Sequence, residues 1–173
     1  IEQRQIESKP ITITVKPFPA GKSADFTGAV GDFSISAQSN VNTIPANEAF
    51  SLKITIKGEG NFSLITKPNI VFPQDFEVYD PKITENFSST ATGEKGSKTF
   101  EYVIMPRREG NFTIPSVVMQ YFNIATKSYK TIRSDEIPIT VTKGTNTGSV
   151  VSNYTNPTKE DVEFSNDIQF IRT

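Results

Sequence analysis

The chain has 173 residues, with 18 Lys and Arg against 19 Asp and Glu, and it contains no His, Cys or Trp. Without imidazole or thiol there is no Ser-His-Asp triad, no His- or Cys-based metal site, no thiolate nucleophile and no disulfide. A net charge of −1 with no basic stripe argues against a nucleic-acid partner, and no apolar run is long enough to span a membrane.

What the chain has in excess is β-branched side chains: 19 Ile, 20 Thr and 12 Val against 2 Leu and 8 Ala. Branching at Cβ restricts χ1 in a helix and suits a pleated strand, so an all-β chain is expected. In chain order, the first element is announced by a repeat. Ile6 to Val15 and Ile132 to Val141 both read I-x-S-x-x-I-x-I-T-V, the alternation of a half-buried strand after a polar turn. We read Ile11 to Val15 as the terminal strand of a preceding β module and Ile137 to Thr142 as the terminal strand of a complete one. The opening at Ile1, without Met and inside such a pattern, carries the expectation of a piece of a longer protein. Residues 1–20 therefore comprise that strand and a linker stiffened by Pro17 and Pro19.

The module is expected over residues 21–142, its body starting near Gly28. Phe33, Ile35 and Ala37 alternate with polar neighbours. Phe50, Leu52, Ile54 and Ile56 do so against Ser51, Lys53, Thr55 and Lys57. Gly58 and Gly60 are expected to mark a turn, permitting positive φ in a hairpin or bulge. Pro68 and Pro73 leave Ile70 to Phe72 as at most an edge strand. Phe76 and Val78, then Ile83 to Phe87, continue the pattern up to a polar loop over 88–96. Phe100, Tyr102 and Ile104 follow, then 111–114, 117–122, 128–132 and 137–141. Roughly eight strands with frequent turns predict an immunoglobulin-like antiparallel β-sandwich. Residues 143–173 read as a flexible tail, with a short ordered segment over 159–171 whose pattern fits helix and strand equally.

Candidate chemistry is sparse. Asp75, Glu77 and Asp80 cluster around Phe76 and Tyr79, and paired carboxylates in a cleft would suit glycoside hydrolysis. Alternation instead puts Asp75 and Glu77 on an ordinary polar face. No metal or other cofactor is expected, because no calcium-loop pattern is present. Four Asn-x-Ser/Thr tripeptides, at Asn61, Asn86, Asn111 and Asn153, are the chance matches expected of a chain rich in Asn, Ser and Thr. Tyr121 and Tyr129 would serve a carbohydrate-binding or adhesion module if their rings were exposed in a row. That is the second functional reading, after a non-catalytic interaction module.

The order of the punctuating residues is informative in itself. Pro17-Phe18-Pro19-Ala20-Gly21-Lys22 leads to Asp25-Phe26-Thr27-Gly28, and then to Gly58-Glu59-Gly60-Asn61 and Phe72-Pro73-Gln74-Asp75-Phe76. Tyr79-Asp80-Pro81-Lys82, Phe100-Glu101-Tyr102, Pro106-Arg107, Ile114-Pro115-Ser116 and the closing Asp167-Ile168-Gln169-Phe170-Ile171 complete the string. It resembles the BatD family of oxygen-tolerance (aerotolerance) proteins. The resemblance implies tandem immunoglobulin-like modules on the periplasmic side of the envelope, anchored in the membrane by parts of the protein outside this chain. It also implies envelope partners such as BatA- and BatB-like proteins with von Willebrand factor A domains, and no catalytic residue. If such a partner's metal site needs an external carboxylate, Asp75 or Asp80 is the candidate to supply it.

Overall fold

The computed structural model describes residues 10–91 and 93–144. The first residues of the repeated motif and most of the expected tail, including its 159–171 segment, lie outside the described residues. Among the described residues, ten strands make up the secondary structure together with one short 3-10 turn at Phe62–Leu64. Among the described residues no helix is long and apolar enough to cross a membrane.

β1 (Phe26–Ser39), β3 (Phe50–Gly60) and β6 (Gly93–Pro106) form the centre of a seven-stranded sheet. β4 (Phe76–Val78) and β5 (Lys82–Thr90) share its outer edge on β6, while β8 (Val118–Asn123) and β9 (Ser128–Arg133) extend it on the other side of β1. A three-stranded sheet is built from β2 (Thr43–Pro45), β10 (Ile137–Thr142) and β7 (Gly110–Ile114), in that order. The apolar positions of the alternating runs meet between the two sheets. Leu52, Ile54 and Ile56 of β3 and Phe100 and Ile104 of β6 share one buried cluster with Ile137, Ile139 and Val141 of β10. Phe76 of β4 contacts Phe112 of β7 across the gap, with ring centroids 5.0 Å apart. The all-β sandwich is thus the architecture that the period-two patterning demands.

Three expectations change. First, the sheets are mixed: β1 pairs with β8 in parallel, and β2 pairs with β10 in parallel, while the remaining pairings are antiparallel. Alternation in a sequence reports which face a side chain takes and carries nothing about strand direction, so it could not distinguish these cases.

Second, Gly58 and Gly60 lie inside β3 and are paired on both sides, Gly60 facing Gly31 of β1 and Glu94 of β6. The positive φ is real, at 159° for Gly60, but its reason is close approach: a Cβ there would stand 2.2 Å from the Val30 carbonyl oxygen. Asn61 follows directly, its Oδ1 accepting from the Val30 N–H at 2.6 Å and its Nδ2 donating to the Gly28 carbonyl at 3.1 Å. The amide of this acceptor-like tripeptide is therefore engaged in pinning β3 to β1.

Third, the polar stretch over 88–96 is mostly strand. β5 runs to Thr90 and β6 starts at Gly93, so the hairpin loop is short. Ser88 to Thr90 are exposed and show no apolar alternation, which is why this end of the edge strand reads as loop although Ile83 to Phe87 read as strand.

Candidate functional site

β4 and β5 are one edge strand interrupted by a bulge. Val78 faces Ile104 and Lys82 faces Glu101, so Tyr79, Asp80 and Pro81 stand opposite only Tyr102 and Val103. Tyr79 keeps a bond to β6, its N–H donating to the Val103 carbonyl at 3.0 Å. Pro81 has no N–H to offer, and pairing resumes only at Lys82. A bulge of this kind turns a side chain away from the pleat. Here the side chain is that of Asp80, 93% exposed, with the Lys67 ammonium donating to it at 2.9 Å.

The other carboxylates of the candidate cluster are separated from it by their partners. Asp75 precedes β4; its carbonyl accepts from the Arg107 N–H at 2.8 Å, and its carboxylate, 35% exposed, lies 3.6 Å from the Arg108 guanidinium. Glu77 accepts from the Tyr79 hydroxyl at 2.7 Å and from the Arg107 guanidinium, which also reaches Asn47. The Tyr79 hydroxyl first, and Arg107 second, hold the Glu77 carboxyl below its ordinary value. Asp75, Glu77 and Asp80 are adjacent in sequence, yet each belongs to its own ion pair.

Beside the bulge lies a groove of about 340 Å³ lined by Lys67, Asn69, Phe72, Tyr79, Asp80 and Tyr102, among others. Tyr102 points inward with Phe100 and Ile104, is only 4% exposed and tilts against Phe72 at 5.7 Å. Its hydroxyl is buried and has no hydrogen-bond partner among the described residues. Burial, with the nearby Asp80 carboxylate adding to it, pushes this phenol up to about 12. Sequence reasoning placed Tyr102 on one strand face with Phe100 and Ile104 and went no further. The available signal was a hydroxyl at an inward position in a row of Phe and Ile, where a buried tyrosine ordinarily finds a partner.

A second, wider groove of about 850 Å³ lies near the Gly31–Gly60 pair and is bordered by Asp32, Glu94 and Asn123. Its polar groups are engaged: Asp32 accepts from the Tyr121 hydroxyl at 2.7 Å, and Glu94 accepts from Ser63. No cluster of acidic side chains suited to a metal ion occurs among the described residues. Tyr121 itself is 2% exposed, edge-on to Phe33. Tyr129 and Phe122 are half-buried and pack with Phe18 and Phe26. The exposed aromatic row that carbohydrate stacking requires is therefore absent from this region. Alternation placed Tyr121 on a face but could not say that the long β1 would cover it.

Fold and site together define a β-sandwich module with an interrupted, solvent-facing sheet edge. Residues 37–141 match the family model described as BatD DUF11 like domain, and the chain belongs to the BatD family. A comparison with curated proteins finds no match.

Proposed function

We propose that the chain is a non-catalytic protein–protein interaction module of a membrane-anchored, periplasm-facing BatD-like protein. It acts in an envelope complex with von Willebrand factor A domain proteins, and bears on oxygen tolerance through that complex. The observation that carries this reading is the Asp80 carboxylate, held in solvent at 93% exposure by the bulge in the sheet edge. A divalent cation with one open position takes an oxygen ligand from outside, and a carboxylate projected from a rigid edge is suited to supply it. Asp75, held by Arg107 and Arg108, is the less accessible of the two candidates. Ile11 to Val15, expected as a strand, form none among the described residues, and Ile11, Ile13 and Val15 are 88%, 80% and 86% exposed, as an apolar segment whose pairing partner lies in a preceding module would be.

Binding of a von Willebrand factor A domain from the same envelope, measured with and without Mg²⁺, tests the proposal. Asp80→Ala is expected to weaken it roughly 10- to 100-fold and to remove the Mg²⁺ dependence, as loss of a charged contact would. Asp75→Ala is expected to have a smaller effect. Unchanged affinity and unchanged Mg²⁺ dependence in the double variant would overturn the assignment.

A further inference from the structure

We infer that the groove between the β4–β5 bulge and the 67–72 segment is a binding site for a peptide amide. The Tyr102 hydroxyl donates to the amide carbonyl and the Asp80 carboxylate accepts from its N–H. The source of the amide, an exposed segment of a protein partner, rests on the interaction-module reading above.

Three observations carry this inference. A buried hydroxyl without a partner costs the protein free energy unless something satisfies it, and Tyr102 is the one described residue with a buried side-chain polar atom in that condition. Tyr102 lines a groove of about 340 Å³, which admits one or two residues of an extended chain. The charges at the rim also balance, because Lys67 and Asp80 are paired at 2.9 Å. A free carboxylate would be drawn to Lys67 but repelled by Asp80, and a free ammonium would be drawn to Asp80 but repelled by Lys67. An amide is neutral and presents one acceptor and one donor, matching the hydroxyl and the carboxylate. Phe72 and Val78 supply apolar walls for the carbons on either side.

The test uses N-acetylglycine N-methylamide as the probe, titrated into the isotope-labelled chain and followed by the amide resonances of Val78, Tyr79 and Val103. Sodium acetate and methylammonium chloride at equal concentration are the comparison arms. The amide is expected to give saturable shifts at these residues, and the two ions none. Tyr102→Phe is expected to weaken the amide roughly three- to ten-fold, the effect of one lost hydrogen bond. The same variant is expected to raise the Tm of the free protein by roughly 2–4 °C, because the substitution removes an unsatisfied hydroxyl. An unresponsive or Tyr102-independent amide, stronger shifts with either ion, or a Tm that stays level or falls would each overturn the inference. None of these outcomes touches the Asp80 and Mg²⁺ dependence of partner binding, so the two proposals fail separately.

Discussion

The two sides of the large sheet end differently. Beyond β1, on the β8–β9 side, the chain covers its own surface: Phe18 of the linker packs edge-on against Phe26 and Phe122, and the Tyr129 hydroxyl donates to the Pro19 carbonyl at 2.8 Å. Beyond β6, on the β4–β5 side, the edge is broken by a bulge, its outer strand is exposed, and the Tyr102 hydroxyl beneath it is unsatisfied among the described residues. Two tyrosines near the covered side, Tyr121 and Tyr129, have partners supplied by this chain. The contrast teaches where to look for a function in a molecule without His or Cys. The covered side is occupied by this chain's own linker, and the open side is where the proposed interaction would take place.

The largest effect should come from separating the edge from the sheet. Gly96 sits at φ 153° opposite Phe87, and a Cβ there would stand 2.1 Å from the Asn86 carbonyl oxygen and 2.6 Å from the Phe87 Cα. Both are backbone atoms of β5, which cannot yield without leaving the ladder. Gly96→Ala is expected to cost about 3 kcal/mol in urea unfolding and to speed amide exchange along β5, with β8 and β9 unaffected. Equal exchange on both sides would erase the distinction between them.

A smaller effect is expected where the linker covers the sheet. Phe18 is 48% exposed, so Phe18→Ala loses part of a side chain's burial and two edge-on ring contacts, about 1 kcal/mol together. Limited proteolysis should then cut near 16–22 faster while the β4–β5 edge keeps its groove. The smallest effect concerns Glu77, beside the bulge. Its folded pKa is depressed, so its stabilisation is present above the ordinary carboxylate range and is lost as pH falls through the folded value. Tyr79→Phe removes the largest cause and should bring the Glu77 carboxyl back toward its ordinary value in a carbon-detected titration. An unmoved titration would show that Arg107 alone sets it.

Much of the sandwich was legible because its central strands are buried on one face. The run Phe50 to Lys57 could be assigned residue by residue, as could Ile137 to Thr142. Legibility failed where that asymmetry failed. Ser88 to Thr90, the exposed end of β5, read as part of a loop, and Gly58 and Gly60 read as a turn because a glycine shows no sign of the strand lying against it. At the candidate site, Asp75 and Asp80 were found as acidic residues near strand ends, but their difference was invisible. It depends on Arg107, Arg108 and Lys67, which come from other parts of the chain.

By itself the sequence determined the chemistry excluded by its missing His and Cys, the all-β class and the positions of most buried side chains, because β-branching and period-two alternation are local properties. Only the tertiary structure decided which strands run parallel, that Tyr121 is covered, that Asp80 projects from a bulge and that Tyr102 faces a groove. Each of these depends on what another strand places opposite the residue, and pairing between distant segments leaves no mark on the residue's own neighbours in sequence.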